Sequence, residues 1–252
     1  MSLTRTFKTG LHAPQRSTMK NVHKSILFLL LCTIIVGFRP DHDPMIFLIG
    51  DSISIGYGNY LKHDLDGKII LERKADGGAS KNLDDPIGAN GGDSRMVLSY
   101  LTEKVKDPSF HPDYLLLNCG LHDVKHDTKS GKIAVEPEEY QRNLQSIFRL
   151  VTGKGIKLIW VTTTEVVDSI HNKNGIPFYR YAKDVAHYNR LASDYWKSKQ
   201  VPEIDLYAFT KAQRVDRFKD HVHYHDDICA LQGAFIAGNL LQIIHPKANQ
   251  GK

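Results

Sequence analysis

A carboxylate and an imidazole lie three residues apart near the end of the chain, at Asp220 and His223. On a turn, these two side chains can form a hydrogen bond, through which the carboxylate fixes the ring tautomer and stabilises the imidazolium. The second ring nitrogen is then free to activate a nucleophile. Ser52, in the segment GDSIS at residues 50–54, directly follows an apolar run and could be that nucleophile. Together these residue types predict acyl transfer by a Ser-His-Asp group.

The position of Ser52 favours this chemistry. A serine between a buried strand and a helix has its own backbone N–H among the free donors of the helix N-terminus, where developing negative charge is stabilised. The spacing differs from the G-x-S-x-G elbow, because Gly50 lies two residues before the serine and residue 54 is Ser54. Taken alone, the segment favours the alternative interpretation, an ordinary N-cap serine.

Two further segments could donate hydrogen bonds to an oxyanion. The segment NGGDS at residues 90–94 offers the backbone N–H of Gly92, a residue that also lets a substrate approach closely. The segment NCGLHD at residues 118–123 offers a ring N–H of His122, and Asp123 could hold that ring's tautomer or cap the next segment. The alternatives are turn-forming glycines and a surface histidine.

The histidines around His223 raise a rival interpretation, a metal site formed with His221 and His225. Zinc needs three or four convergent ligands at defined spacing, and three histidines within five residues of a loop would converge only with strain. We therefore predict no metal and no cofactor. Cys119 and Cys229 form no metal signature, and the sequence allows both a disulfide between them and two free thiols.

The elements that must position these residues alternate along the chain. Short apolar runs predict five strands, at 45–50, 68–72, 113–120, 156–164 and 203–206. Apolar residues at helical spacing predict five helices, at 54–65, 95–105, 136–151, 182–196 and 228–244. Continuous apolar strands separated by helices are typical of an α/β fold with a mostly parallel sheet covered on both faces. Ligands bind at the C-terminal ends of such strands, which is where the polar segments above occur.

In this order, the polar segments resemble the motif blocks of the GDSL/SGNH hydrolases, over roughly residues 45–244. The resemblance implies a flavodoxin-like, three-layer α/β/α sandwich with about five parallel strands. It implies Ser52 as nucleophile, Asp220 and His223 as its partners, and the backbone N–H groups of Ser52 and Gly92 as oxyanion donors.

The third block departs from the family pattern. That pattern reads G-x-N-D, with an asparagine amide as oxyanion donor, whereas this chain has His122 at the same place. A histidine can donate one N–H in the correct tautomer, so we carry the donor role to His122. Asn118 is an alternative donor, although we expect it to lie on the strand and bond to backbone.

Residues 1–39 form a predicted leader, and residues 40–252 a single hydrolase domain. The apolar run at 25–38 follows basic residues, is short for a membrane span and fits a secretory signal, so we expect a secreted or periplasmic protein. An uncleaved membrane anchor is the alternative. The formal charge of +5 comes largely from this leader, and the interspersed charges beyond it exclude a clustered nucleic-acid-binding face.

Export and the family resemblance together favour removal of O-acetyl groups from a carbohydrate, as a small molecule or a polysaccharide. The segment 164–181 is long, polar and aromatic, and could line a sugar site or be an ordinary surface loop. The alternatives are a lipid or short-chain esterase, and a carbohydrate-binding module that has lost catalysis. The oligomeric state is left open.

Overall fold

The computed structural model describes residues 1–2, 42–78, 81–173, 175–213 and 216–245. The chain divides into two units, Met1–His42 and Asp43–Lys252. Apart from residues 1–2, the predicted leader, with its apolar run at 25–38, lies outside the described residues, and the fold below is that of the second unit.

The strands are short. They are β1 (Met45–Ile49), β2 (Ile70–Arg73), β3 (Tyr114–Leu117), β4 (His126–Asp127), β5 (Lys157–Val161), β6 (Phe178–Tyr179) and β7 (Glu203–Ile204). The helices between them are α1 (Ser52–Leu65), α2 (Ser94–Lys104), α3 (Pro137–Thr152), α4 (Asp168–His171), α5 (Ala182–Ser198), α6 (Leu206–Lys211) and α7 (Asp226–Ile244).

Five strands form one parallel sheet in the order β2-β1-β3-β5-β7, and β4 pairs with β6 as a separate antiparallel ribbon. Helix α7 packs against α1 and α6, and α3 packs against both α2 and α5, so that two helical layers cover the sheet. The predicted α/β class and the flavodoxin-like, three-layer sandwich are therefore confirmed. From β1 the chain adds β2 on one side of the sheet and then β3, β5 and β7 on the other, so the order of strand addition reverses between β1 and β3. This switch point is the position at which such folds bind ligands.

The central strands are apolar without alternation because both of their faces are covered. Residues Ile46 to Ile49 of β1 and Leu115 to Leu117 of β3 are all buried. The last residues of these two strands are followed directly by the polar segments around Ser52 and His122, so that the two segments emerge at the same sheet edge.

Helix α7 crosses α1 closely. A Cβ added at Gly233 would lie 2.8 Å from Tyr60 Cβ and 2.9 Å from the Leu61 nitrogen, so the crossing requires glycine. Among the described helices, α7 alone is long and apolar enough to cross a membrane, and its residues Ile236 and Leu240 lie in the buried core. The crossing holds the loop that precedes α7 beside the start of α1.

Several predicted boundaries differ from the structure. Helix α1 begins at Ser52 rather than at residue 54, because the Asp51 side chain caps it. The segment 164–181, expected either to line a sugar site or to be an ordinary surface loop, contains α4 and β6. These elements are four and two residues long, too short to show a hydrophobic period.

Candidate active site

Ser52 is the first residue of α1. The preceding Asp51 has extended backbone angles, and its carboxylate accepts a hydrogen bond of 2.9 Å from the N–H of Ile53. Burial raises the pKa of Asp51 above its ordinary value, against the opposing effects of that bond and of the Arg180 charge. The N–H groups of a first helical turn have no partner within the helix, so the Ser52 N–H can donate to a ligand.

A chain of hydrogen bonds runs from Ser52 to the loop before α7. Ser52 Oγ lies 2.9 Å from His223 Nε2, and His223 Nδ1 lies 2.8 Å from Asp220 Oδ2. Because the carboxylate can only accept, Nδ1 carries the proton and Nε2 is left to accept from the serine hydroxyl. Ser52 and His223 are both buried. The structure thus brings together the three residues proposed for acid–base and nucleophilic chemistry.

Asp220 is fixed by its own loop as well as by the ring. Its Oδ1 accepts the backbone N–H groups of Val222, at 2.9 Å, and His223, at 2.8 Å. Partial burial favours the neutral acid, but the bonds from the ring and the backbone outweigh it and lower the pKa of Asp220 below its ordinary value. The carboxylate therefore stays ionised at neutral pH.

The other histidines of this loop point elsewhere. His221 Nε2 lies 3.1 Å from Asp84 Oδ2, and its Nδ1 lies 2.7 Å from Nδ1 of His171. His225 is exposed at the start of α7. Within the described ranges, no three or more His, Cys, Asp or Glu side chains are placed to hold a metal ion. The rings of His221, His223 and His225 do not converge as the metal interpretation requires.

The glycine predicted as an oxyanion donor lies two residues after Asn90, which pairs with Gly50 in a parallel bridge, and its N–H already donates within the protein. The N–H of Gly92 bonds to Asn90 Oδ1 at 3.0 Å, and the neighbouring N–H of Gly91 bonds to the Gly50 carbonyl at 2.8 Å. Gly92 has a φ of 74°, and a Cβ there would lie 2.5 Å from Met96 Sδ. Both observations explain why residue 92 is glycine.

His122 is buried rather than on the surface, with 4% of its area exposed. Its Nε2 lies 3.4 Å from Asn90 Nδ2. Burial, together with the positive charges of Lys125 and Arg180, lowers the pKa of His122 well below its ordinary value. The ring is therefore neutral at physiological pH and can donate through one nitrogen.

The remaining predicted residues of this segment serve the framework. Both carboxylate oxygens of Asp123 accept the N–H of Ser94, at 3.0 and 3.1 Å, so its side chain binds the start of α2, which lies earlier in the sequence, rather than the His122 ring or the next segment. The N-cap residue of α2 is Asp93. Burial raises the pKa of Asp123 to about 7. Asn118 Nδ2 donates to the Val161 carbonyl at 2.9 Å, a bond to backbone as expected.

Arg180 is a residue of this site that the sequence did not reveal. It comes from the segment 164–181, is almost fully buried, and donates from Nε to the Leu121 carbonyl at 2.7 Å, directly before His122. Burial lowers its pKa to about 10, against the opposing charges of Asp84 and Asp51. Its only sequence signal is an arginine between two tyrosines, which indicates nothing about burial.

A cleft of about 250 Å³ opens beside Ser52, His223 and Asp220. Its other walls mix apolar and polar side chains, from Ile53, Ile55, Gly56, Leu83, Lys219, Tyr224, Asp226 and Cys229. Cys119 and Cys229 are both free thiols. Burial raises the pKa of Cys229 to about 11, so the thiol in the cleft wall stays protonated and is a poor nucleophile.

The family model described as the GDSL-like lipase/acylhydrolase family matches residues 48–248, most of the chain. The chain belongs to the GDSL-like lipase/acylhydrolase family. This membership makes the protein a carboxylic ester hydrolase, as predicted from the motif blocks. The matched range contains Ser52, Gly92, His122, Asp220 and His223.

Solved structures share the fold of this GDSL-like hydrolase at low sequence identity. A GDSL-like lipase from Bacteroides thetaiotaomicron VPI-5482 is 18% identical, with a TM-score of 0.58 over 86% of this chain and 97% of that chain. A lipase/acylhydrolase from Enterococcus faecalis is 19% identical, with a TM-score of 0.60 over 81% and 99%. An acetyl xylan esterase is 18% identical, with a TM-score of 0.55 over 79% and 99%. The comparison with curated proteins finds no match.

Proposed function

We propose that this family member is an exported serine esterase that removes O-acetyl groups from a carbohydrate. The observation that carries the proposal is the continuous hydrogen-bond chain from Asp220 through His223 to Ser52 Oγ, at 2.8 and 2.9 Å. In this series of hydrogen bonds, His223 Nε2 is already positioned to accept the hydroxyl proton when Ser52 Oγ attacks the ester.

The reaction proceeds in two steps. His223 Nε2 takes the proton of Ser52 Oγ while Oγ bonds to the ester carbonyl carbon, and the resulting oxyanion accepts hydrogen bonds from the Ser52 N–H and from His122. The bond to the alcohol oxygen then breaks, and His223 returns the proton to that oxygen. Water repeats the attack on the acyl-enzyme, which releases the carboxylic acid and restores the serine.

The cleft supports a small acyl group on a polar alcohol. Its volume of about 250 Å³ is below the roughly 300–1,000 Å³ of pockets that enclose drug-sized ligands. Lys219, Asp220 and Asp226 at its walls can bond to hydroxyl groups, while Ile53 and Ile55 offer a short apolar surface for an acetyl methyl. The structural relative named as an acetyl xylan esterase favours the same substrate class.

The predicted leader supports a location of the protein outside the cytoplasm. Its basic residues followed by the apolar run at 25–38 favour secretion or transfer to the periplasm before folding. N-terminal sequencing of protein recovered outside the cytoplasm is expected to start near residue 40. Recovery of the intact chain in the membrane fraction would favour the anchor instead.

Active-site labelling of the full chain tests the mechanism. A fluorophosphonate is expected to form an adduct on Ser52, located by mass spectrometry, and the adduct should disappear in Ser52→Ala. The probe reports an activated serine without requiring the natural substrate. Absence of labelling in chain that is folded by circular dichroism would contradict the serine mechanism.

Substrate class is tested by acetate release. We expect kcat/KM on acetylated oligosaccharides to exceed that on aryl acetates and on esters of longer acids. The isoleucines and Leu83 in the cleft wall make short aryl and alkyl esters the second candidate. Faster cleavage of butyrate than of acetate esters of one alcohol would favour that candidate over the deacetylase.

A further inference from the structure

The side-chain amide of Asn90 has a fixed orientation. Its Nδ2 donates to the carbonyls of Leu83, at 3.0 Å, and Asp85, at 3.2 Å, and its Oδ1 accepts the N–H of Gly92 at 3.0 Å. If the amide were turned over, Oδ1 would face two carbonyl oxygens and Nδ2 would face an N–H. Asn90 is also buried, so no solvent would compensate for those repulsions.

The nitrogen of this fixed amide faces the oxyanion segment. Asn90 Nδ2 lies 3.4 Å from His122 Nε2. The two hydrogens of Nδ2 already face the Leu83 and Asp85 carbonyls, so a lone pair on Nε2 can only share one of them, but a proton on Nε2 would face an amide nitrogen that cannot accept a hydrogen bond. In a neutral ring with an unprotonated Nε2, the single proton is on Nδ1. Burial and the neighbouring cations Lys125 and Arg180 keep this ring neutral, as described above.

The same amide determines which donors remain for an oxyanion. It takes up the N–H of Gly92, one of the three predicted donors. The structure gives His122 Nδ1 no hydrogen-bond partner among the described residues, and the Ser52 N–H is likewise outside the helical ladder. Two donors are therefore available at the ends of neighbouring strands β1 and β3.

We propose that Asn90 is a positioning residue of the oxyanion hole, which holds His122 in the tautomer whose Nδ1–H donates to the oxyanion. The donor role rests on the proposed function, but the tautomer does not. In a histidine, Nδ1 is bonded to Cγ, and in an asparagine the amide nitrogen is bonded to the corresponding carbon, so the two donors lie at the same distance along the side chain. Nε2 lies one atom farther from the backbone, at the reach of a glutamine amide.

The tautomer can be measured without any substrate. In the full chain labelled with ¹⁵N-histidine, two-bond ¹H–¹⁵N correlations distinguish a protonated, pyrrole-type nitrogen from a bare, pyridine-type one. His122 is assigned by the signals that are lost in His122→Gln. We expect a pyrrole-type Nδ1 and a pyridine-type Nε2 at pH 7. A pyrrole-type Nε2, or protonation of both nitrogens, would overturn the proposal.

A substitution at Asn90 should switch this signature. In Asn90→Asp a carboxylate oxygen replaces the amide nitrogen, so Nε2 should become protonated and the Nδ1 donor should be lost. The matched control is Asn189→Asp, since Asn189 also bonds to backbone at both ends of its amide, at 2.9 and 2.8 Å on Thr163, without contacting His122. The control should leave the His122 signals unchanged.

Kinetics separate positioning from a general structural role. We expect Asn90→Asp to lower kcat about 10²-fold with little change in KM. If Asn90 acts through His122, the double variant with His122→Ala should be no slower than His122→Ala alone. Losses that multiply in the double variant would overturn the proposal. Should Asn90→Asp fail to fold, the wild-type tautomer still decides.

Failure of this inference is distinguishable from failure of the proposed function. Labelling of Ser52 by the fluorophosphonate together with an Nε2–H tautomer would leave the serine esterase intact and remove the role of Asn90. An Nδ1–H tautomer in a chain whose Ser52 is never labelled would remove the reaction, and with it the donor role of His122.

Discussion

The base side and the oxyanion side of the active site are held together in different ways. On the base side, Asp220 and His223 are three residues apart on one loop, and the carboxylate is partly exposed and ionised. On the oxyanion side, a buried neutral ring, His122, is held by Asn90 and by Arg180 through the Leu121 carbonyl. The first arrangement is local, whereas the second joins three distant segments of the chain.

This difference affects how each side tolerates change. The hydrogen bond between Asp220 and His223 can adjust within its loop, and loss of the ring leaves only a partly exposed carboxylate behind. The oxyanion side contains a desolvated guanidinium and a carboxyl whose pKa is raised, so that substitutions there disturb charges that water cannot screen. We therefore expect substitutions on the base side to lower kcat, and substitutions on the oxyanion side to change both kcat and the free energy of unfolding.

The largest effect should come from the base itself. His223→Ala removes the acceptor of the Ser52 proton and should lower kcat by about 10⁴–10⁶. His225→Ala is the matched control, because His225 is exposed and belongs to the same loop. Steady-state ester hydrolysis should show a large loss in the first variant and near wild-type rates in the second. Equal losses in both variants, with sensitivity to chelator, would favour the metal interpretation instead.

A smaller loss should follow from the orienting carboxylate. Asp220→Asn keeps the shape but can present an amide N–H to His223 Nδ1, which favours the wrong ring tautomer. Because the Asp220 side chain is 44% exposed, we expect a loss in kcat of about 10³-fold, below that for His223→Ala. A loss below tenfold would mean that the carboxylate does not orient the base.

The sequence was sufficient to predict the fold class and the base side. Continuous apolar strands such as β1 identify a sheet covered on both faces, and the short spacing of Asp220 and His223 makes their contact a local matter. The start of α1 at Ser52 was missed, since capping by Asp51 depends on backbone angles. The short elements α4 and β6 were missed because they are stabilised by contacts distant in sequence, such as the pairing of β6 with β4.

The oxyanion side was only partly predictable. The motif blocks pointed to Gly92 and His122, but neither spacing nor composition indicates that the Gly92 N–H is taken up by Asn90. Arg180 lies 59 residues from Leu121 in sequence, and its burial is a property of the folded chain. For Asp123, the sequence suggested that it holds the His122 ring or caps the next segment, whereas its carboxylate accepts the N–H of Ser94 in the earlier helix α2.

The loss of the His122 ring should lower kcat less than the loss of His223, but more than the loss of any framework residue. His122→Ala should lower kcat by about 10²–10³ while Ser52 labelling remains detectable. Because an asparagine amide nitrogen extends from the same carbon as Nδ1, His122→Asn should recover most of the rate and His122→Gln should not. Equal rates in the Asn and Gln variants would argue against an Nδ1 donor.

The smallest effect concerns Asp123 and appears in stability. The folded state keeps the Asp123 proton up to pH about 7, whereas the unfolded chain loses it near the ordinary value of 3.8. The folded state therefore binds more protons between these values, and its stability falls as pH rises through that window and then levels off. An asparagine has no such proton, and its Oδ1 can still accept the Ser94 N–H.

The difference in unfolding free energy between Asp123→Asn and wild type should consequently shift in favour of the variant by about 3 kcal/mol from pH 4 to pH 7. Urea titrations of both chains at four pH values measure it. The changed hydrogen bond to the Ser94 N–H sets a constant offset between the two chains, so only the slope with pH reports the buried carboxyl. Parallel pH profiles would mean that Asp123 ionises freely in the folded protein, and that water reaches the oxyanion side as readily as it reaches Asp220.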